Sequence, residues 1–179
     1  KAVAIALISA GFIPASHAAE LNKNVNNPTG TTIDGTTAVL LNDGTSFTVD
    51  NDGTIAGSKT GNIGQGIHAL SATTITNLTN DGTISGTATV DFGQGISLST
   101  NSTITTLTNT GTISGEAGDN TGLGILLSRS EITTLTNNDT ISGSAVDNFG
   151  RGILLQTNST ITTLTNTGTI SGEAGEDEG

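Results

Sequence analysis

Three short strings return along this chain at one common interval. The string G-T-I-x-G, or its equivalent, places Ile55, Ile84, Ile113, Ile141 and Ile170 at spacings of 29, 29, 28 and 29. The string G-x-G-I places Ile67, Ile96, Ile125 and Ile153 at 29, 29 and 28. The string I-T-x-L-T-N places Ile75, Ile104, Ile132 and Ile161 at 29, 28 and 29. All three keep step, and the single-residue deletion falls within one repeat. A fixed period of this length is the mark of a solenoid, propeller or array.

The residues inside the period decide among these. Thr, Ile and Val dominate and Gly interrupts every few positions, which favours short strands over helix. Each repeat holds three runs, such as "TITTLTN", "GTISG" and "GILL". Three strands per turn form one coil of a parallel β-helix, with successive coils stacked about 4.8 Å apart. A propeller blade would need four antiparallel strands in a longer unit. The fold expected is therefore all-β: a parallel β-solenoid of about five coils of 28–29 residues, three short strands per coil.

Alternation gives the faces. In "GTISG" the Ile points inward. In "GILL" Ile125 and Leu127 point in, and Leu126 points out. Ile104 and Leu107 are three apart, so both are buried only if the strand bends between them. Upstream, "TTAVLL" reads as a degenerate first strand with Ala38 and Leu40 at the inward places. About five aliphatic side chains per coil form the core. That reconciles the repeated apolar positions with an aromatic content of only 2% and a net charge of -11, values that otherwise lean toward disorder.

Asn51, Asn80, Asn109, Asn137 and Asn166 hold one place in five repeats. A buried amide must be satisfied, so these residues are expected to stack as an Asn ladder. Two residues on stand Gly53, Gly82, Gly111, Asp139 and Gly168. These types tolerate positive φ, which predicts a left-handed turn there.

The ends read differently. Residues 1–18, "KAVAIALISAGFIPASHA", carry a Lys, a short apolar run and small residues before Ala18, the pattern of a signal peptide cleaved there. Residues 19–45 are assigned to a cap and the degenerate first coil, and 46–179 to the repeats. The closing "EAGEDEG" matches Glu116 to Gly122 in register, so the repeats read as truncated.

An export signal followed by "ITxLTNxGTISG" and "GIxL" repeats resembles the passenger region of bacterial autotransporters. The resemblance covers Ser46 to Gly179 well and Asn22 to Thr45 loosely. It implies a right-handed β-helix, secretion to the outer membrane or beyond, and anchoring through a C-terminal β-barrel that these residues do not include.

No catalytic constellation is legible, and an enzymatic role for this segment is not expected. After the signal peptide the only His is His68, on the outward side of "GIHAL", read as an exposed variable position. There is no Cys, so no thiolate metal site or disulfide is possible. "GQGI" at Gly64 and Gly93 lacks the Lys and helix of a phosphate loop; its glycines fit a tight corner. No metal site or cofactor is expected. Sixteen acidic against five basic residues argue against nucleic acid. The expected role is a cell-surface or secreted structural and interaction module, an adhesin or aggregation stalk, whose ligand (host protein, glycan or neighbouring cell) the sequence does not name. Leu126 and Leu154, outward on adjacent coils, form its candidate contact patch. Two alternatives stand beside it. One is an ice- or ligand-binding solenoid presenting Thr79, Thr108, Thr136 and Thr165, a row that Asp50 interrupts. The other is the stalk of an enzyme lying downstream.

Overall fold

A computed structural model describes residues 23–42 and 44–175, so the signal-peptide assignment lies outside the described residues. Among the described residues all regular structure is β-strand. The first coil comprises β1 (Val25–Asn27), β2 (Thr32–Gly35) and β3 (Thr37–Leu41). The second holds β4 (Ser46–Asn51), β5 (Thr54–Lys59) and β6 (Ile63–Ala69). The third holds β7 (Thr74–Asn80), β8 (Thr83–Ala88) and β9 (Phe92–Ser99). The fourth holds β10 (Thr103–Asn109), β11 (Thr112–Ala117) and β12 (Thr121–Ser128). The fifth holds β13 (Glu131–Asn137), β14 (Thr140–Ala145) and β15 (Phe149–Gln156). Two further strands, β16 (Thr160–Asn166) and β17 (Thr169–Glu173), follow.

Every third strand pairs in parallel, so three sheets run along the axis. Sheet 1 is β1-β4-β7-β10-β13-β16, sheet 2 is β2-β5-β8-β11-β14-β17, and sheet 3 is β3-β6-β9-β12-β15. The molecule is a parallel β-solenoid of about five turns with three strands per turn. Each repeated position stacks on its copy: Ile113 lies between Ile84 and Ile141, and Leu107 between Leu78 and Leu135. Strands too short to bury a face alone thus share one continuous aliphatic core. In the third coil it is Ile75, Leu78, Ile84, Ile96 and Leu98, all buried.

The bend between Ile104 and Leu107 is present. Both are buried while Thr105 and Thr106 face outward, and Thr105 is skipped in the ladder to either neighbour. The second coil lacks this extra residue, so the register shifts after Phe47, which pairs with Ile75.

Two expectations are corrected. Val39 and Leu41, not Leu40, join the buried Ala38 in the core, because Val39 pairs with Ile67 and Leu41 with Ala69. Leu40 pairs with His68 on the outer side and is half-buried; Ala38 is buried beside Val39. The turn glycines are also not left-handed: none of Gly53, Gly82, Gly111, Asp139 and Gly168 has positive φ. Space is what selects Gly there. A Cβ on Gly82 would lie 2.0 Å from the Gly53 carbonyl oxygen of the coil before it. Where Gly stands, two N–H groups of the turn donate to one Asn carbonyl, as Thr110 and Gly111 do to Asn80. At Asp139 the turn yields: Asn138 N–H donates to Asn109 O at 2.8 Å, and the second bond is missing.

Left-handed backbone occurs instead at the corner between sheet 3 and sheet 1. Ser71 and Ala72, Thr100 and Asn101, and Thr157 and Asn158 are consecutive positive-φ pairs, while Arg129 stands alone at φ 52°. The one-residue deletion is therefore located. The β6–β7, β9–β10 and β15–β16 corners spend two residues on the turn, and the 28-residue coil spends one.

Candidate functional site

The outer face of sheet 3 carries the least repetitive side chains of the molecule. Sheet 3 presents its inward residues, such as Ile96, Leu98, Ile125 and Leu127, to the core. Its outward residues then stack in rows fixed by the ladder. One row is Ile63, Phe92, Thr121 and Phe149; the next is Gln65, Gln94, Leu123 and Arg151; a third is His68, Ser97, Leu126 and Leu154. Between the second and third rows the ladder skips Gly66, Gly95 and Gly124, and the strands bend there.

The rows enclose a groove of about 270 Å³ spanning four coils, lined by Ile63, Phe92, Leu123, Leu126 and Leu154 with polar Gln94, Thr121, Arg151 and Gln156. Leu126 and Leu154 are register partners on its wall and both are half-buried. Ile63 and Phe149 are exposed, about 40% each. The Arg151 guanidinium lies 4.5 Å from the centre of the Phe149 ring. That geometry attracts a cation to the ring face and holds a positive charge at the open end.

Gln94 lines the groove and Gln65 stacks next to it one coil away, polar positions not singled out in the sequence. Gln94 and Gln65 are buried, and Gln65 Nε2 donates to Gln94 Oε1 at 2.8 Å while Thr37 Oγ1 donates to Gln65 Oε1 at 3.1 Å. The signal was available as "GQGI" in two successive repeats, but its polar residue reads as surface unless the bend at Gly95 is known. His68 differs from its expectation as an exposed position. It is half-buried, its Nε2 lies 3.2 Å from Ser99 Oγ, and burial pushes its pKa down to about 4. Ser97 in the same row is buried.

The Asn positions lie at the turn between sheets 1 and 2. Asn51 Nδ2 donates to Asn80 Oδ1, Asn80 to Asn109, Asn109 to Asn137 and Asn137 to Asn166, each at 2.7 Å. Each of these donors also reaches a backbone carbonyl of the next coil, as Asn80 does to Thr112 O at 3.1 Å. Asn27 adds a sixth rung, donating to Asn51 Oδ1 at 2.6 Å. No buried side-chain polar atom among the described residues lacks a partner. This run of amides is structural: the interior rungs are sealed from solvent.

At the left-handed corner, Thr73, Ser102, Ser130 and Ser159 each return a hydroxyl to a carbonyl two or three residues back. These hydroxyls hold the turn closed and were not singled out in the sequence. Thr79, Thr108, Thr136 and Thr165 form one in-register row on the outer face of sheet 1, preceded by Asn26 and Asp50. Burial, then the nearby Asp52 and Asp81 carboxylates, push the Asp50 pKa up.

No group of three or more metal-ligating side chains occurs among the described residues. No family model matches the chain, and neither a curated protein nor a solved structure matches it.

Proposed function

We propose that this chain is a surface-exposed or secreted structural and interaction module of an autotransporter-like protein, acting in adhesion or aggregation. The supporting observation is the groove of sheet 3. Aromatic and aliphatic side chains from four coils open to solvent there, although the inward positions of the same strands already supply the core. Contiguous exposed apolar surface of this kind marks contact sites. A rigid stack of coils would present it at a distance from whatever anchors the chain. The export signal and the autotransporter-like strings support the location and the kinship.

The test is binding of beads coated with the chain to bacterial and cultured-cell surfaces, alongside thermal unfolding. Leu126→Ser with Leu154→Ser is expected to remove most of the binding and leave unfolding nearly unchanged, because both side chains face outward. Full binding by the double variant would reject the groove as the contact surface. Kinship has its own test in the downstream coding sequence. Further "GTISG" coils leading into alternating amphipathic barrel strands are expected, and a stop codon shortly after Gly179 would contradict it.

A second reading, a solenoid that binds ice or another ordered lattice, is favoured by one feature. The threonines of sheet 1 stack in parallel rows, with Thr106, Thr134 and Thr163 beside Thr108, Thr136 and Thr165. Thermal hysteresis in a concentrated solution of the chain would support it, and its absence would remove it.

A further inference from the structure

The repeat breaks its own pattern three times at one place. The fourth coil's corner is one residue short, Arg129 stands where other corners carry Ser71-Ala72, Thr100-Asn101 and Thr157-Asn158, and Glu131 replaces the Thr of Thr74, Thr103 and Thr160. The short corner lies between two longer ones, which leaves a notch of about 230 Å³. Arg129, Ser130 and Glu131 lie at its centre, and Asn101 and Asn158 come from the coils on either side.

The Arg129 side chain has no structural role that would account for it. The Arg129 guanidinium makes no hydrogen bond or ion pair with any described residue, and Glu131 is not its partner. Glu131 Oε1 accepts only from Thr133 and Thr162, at 3.3 and 3.2 Å. The side-chain amides of Asn101 and Asn158 are likewise without a partner among the described residues. The corner is held by other groups. Ser102 and Ser130 are buried, and the Arg129 N–H donates to Thr157 O at 3.1 Å.

We infer that this notch binds one acidic monosaccharide unit, a hexuronate-type sugar, of a glycan. A free guanidinium is a planar fork that matches a carboxylate with two parallel bonds. Glu131 accepts from ring hydroxyls, and the two Asn amides both donate and accept. No aromatic or large aliphatic side chain lines the notch, so an apolar ligand gains nothing there. Its volume falls below that of pockets for drug-sized ligands, which suits one sugar ring. On a chain of net charge -11, Arg129 is the one cationic side chain that lines the notch. The inference goes beyond the groove of sheet 3 and does not depend on it.

The experiment is an NMR titration of the full chain with glucuronate, with glucose and acetate as comparisons. Glucuronate is expected to shift the amides of residues 101–103, 129–131 and 158–160 saturably, with Kd on the order of 1 mM. Arg129→Gln is expected to weaken binding at least about tenfold, and Glu131→Thr to weaken it less, both with unchanged melting temperature. Inserting one Asn after Arg129 restores the two-residue corner and the 29-residue coil while keeping the charge, and is expected to abolish the response. No saturable shift in the native chain would overturn the inference, as would undiminished binding by Arg129→Gln. An equal response to glucose would show that the guanidinium is not reading a carboxylate and would also overturn it. The Leu126→Ser, Leu154→Ser chain should titrate like the native one, which keeps failure of the groove distinct from failure of the notch.

Discussion

At the scale of the residue, the chain is governed by what each side chain meets one coil away. Asn80 occupies its place because its amide has both a side-chain and a backbone acceptor in the next coil. Fixed spacing made this row visible in the sequence. The sixth rung, Asn27, was hidden because "VNNPTG" shares no spacing with the later repeats. Leu40 reads as inward for a related reason: four consecutive apolar residues fit either face, and only pairing with β6 chooses. His68 shows that an outward position is not an exposed one. Its imidazole is held neutral, with a pKa near 4 against about 6.5 in the unfolded chain. Above pH 6.5 both states are neutral and His68 costs nothing. As pH falls from 6.5 toward 4 only the unfolded state takes up a proton, so this site lowers stability by at most about 3 kcal/mol. Chemical denaturation of His68→Ser, which carries the residue found one coil on, is expected to show that much less loss of stability between pH 7 and pH 4 than the native chain. An identical pH profile would contradict the buried, neutral imidazole.

At the scale of the element, the strands themselves were legible because β-branched runs are cut by Gly at a constant period. The reason for the Gly was not. Sheets 2 and 3 approach so closely that a Cβ on Gly86 would sit 1.9 Å from the Gln94 carbonyl oxygen, although Gly86 has no positive φ. The clash is with backbone, which cannot swing aside as a flexible side chain would. Gly86→Ala should therefore destabilise the fold by about 3 kcal/mol or more, whereas Ser85→Ala, on the outer face of the same strand, should stay within about 0.5 kcal/mol. Urea unfolding of the two variants checks the difference. The true left-handed corners escaped notice because they fall on Ser, Ala, Thr, Asn and Arg. A β-branched residue such as Thr100 at positive φ is unusual, and no composition rule points to it. It is held there by the coil stack: the Ala72 N–H donates to Thr100 O at 2.9 Å, and the Asn101 N–H to Arg129 O at 2.8 Å.

At the scale of the whole molecule, the period, the three sheets and the number of coils could all be read from spacing alone, because stacking forces each coil to repeat the one beneath it. The two surface features could not. The groove is assembled from rows whose residues change along the stack, such as Gln94 to Leu123 and Ser97 to Leu126, and its concavity comes from bends at Gly66, Gly95 and Gly124. The notch exists because one coil is shorter than its neighbours. Departures from the repeat are thus where individuality resides in this chain, while the repeat itself builds the support. The central claim is that the recurrent string is dictated by coil-on-coil satisfaction of a buried amide row. Asn109→Ala tests it most directly, since it removes the acceptor of Asn80 Nδ2 and the donor to Asn137 Oδ1 in the middle of the stack. Equilibrium urea unfolding should show a loss of about 2–4 kcal/mol, against about 0.5 kcal/mol or less for the neighbouring exposed Asn138→Ala. Equal, small losses for the two variants would contradict it.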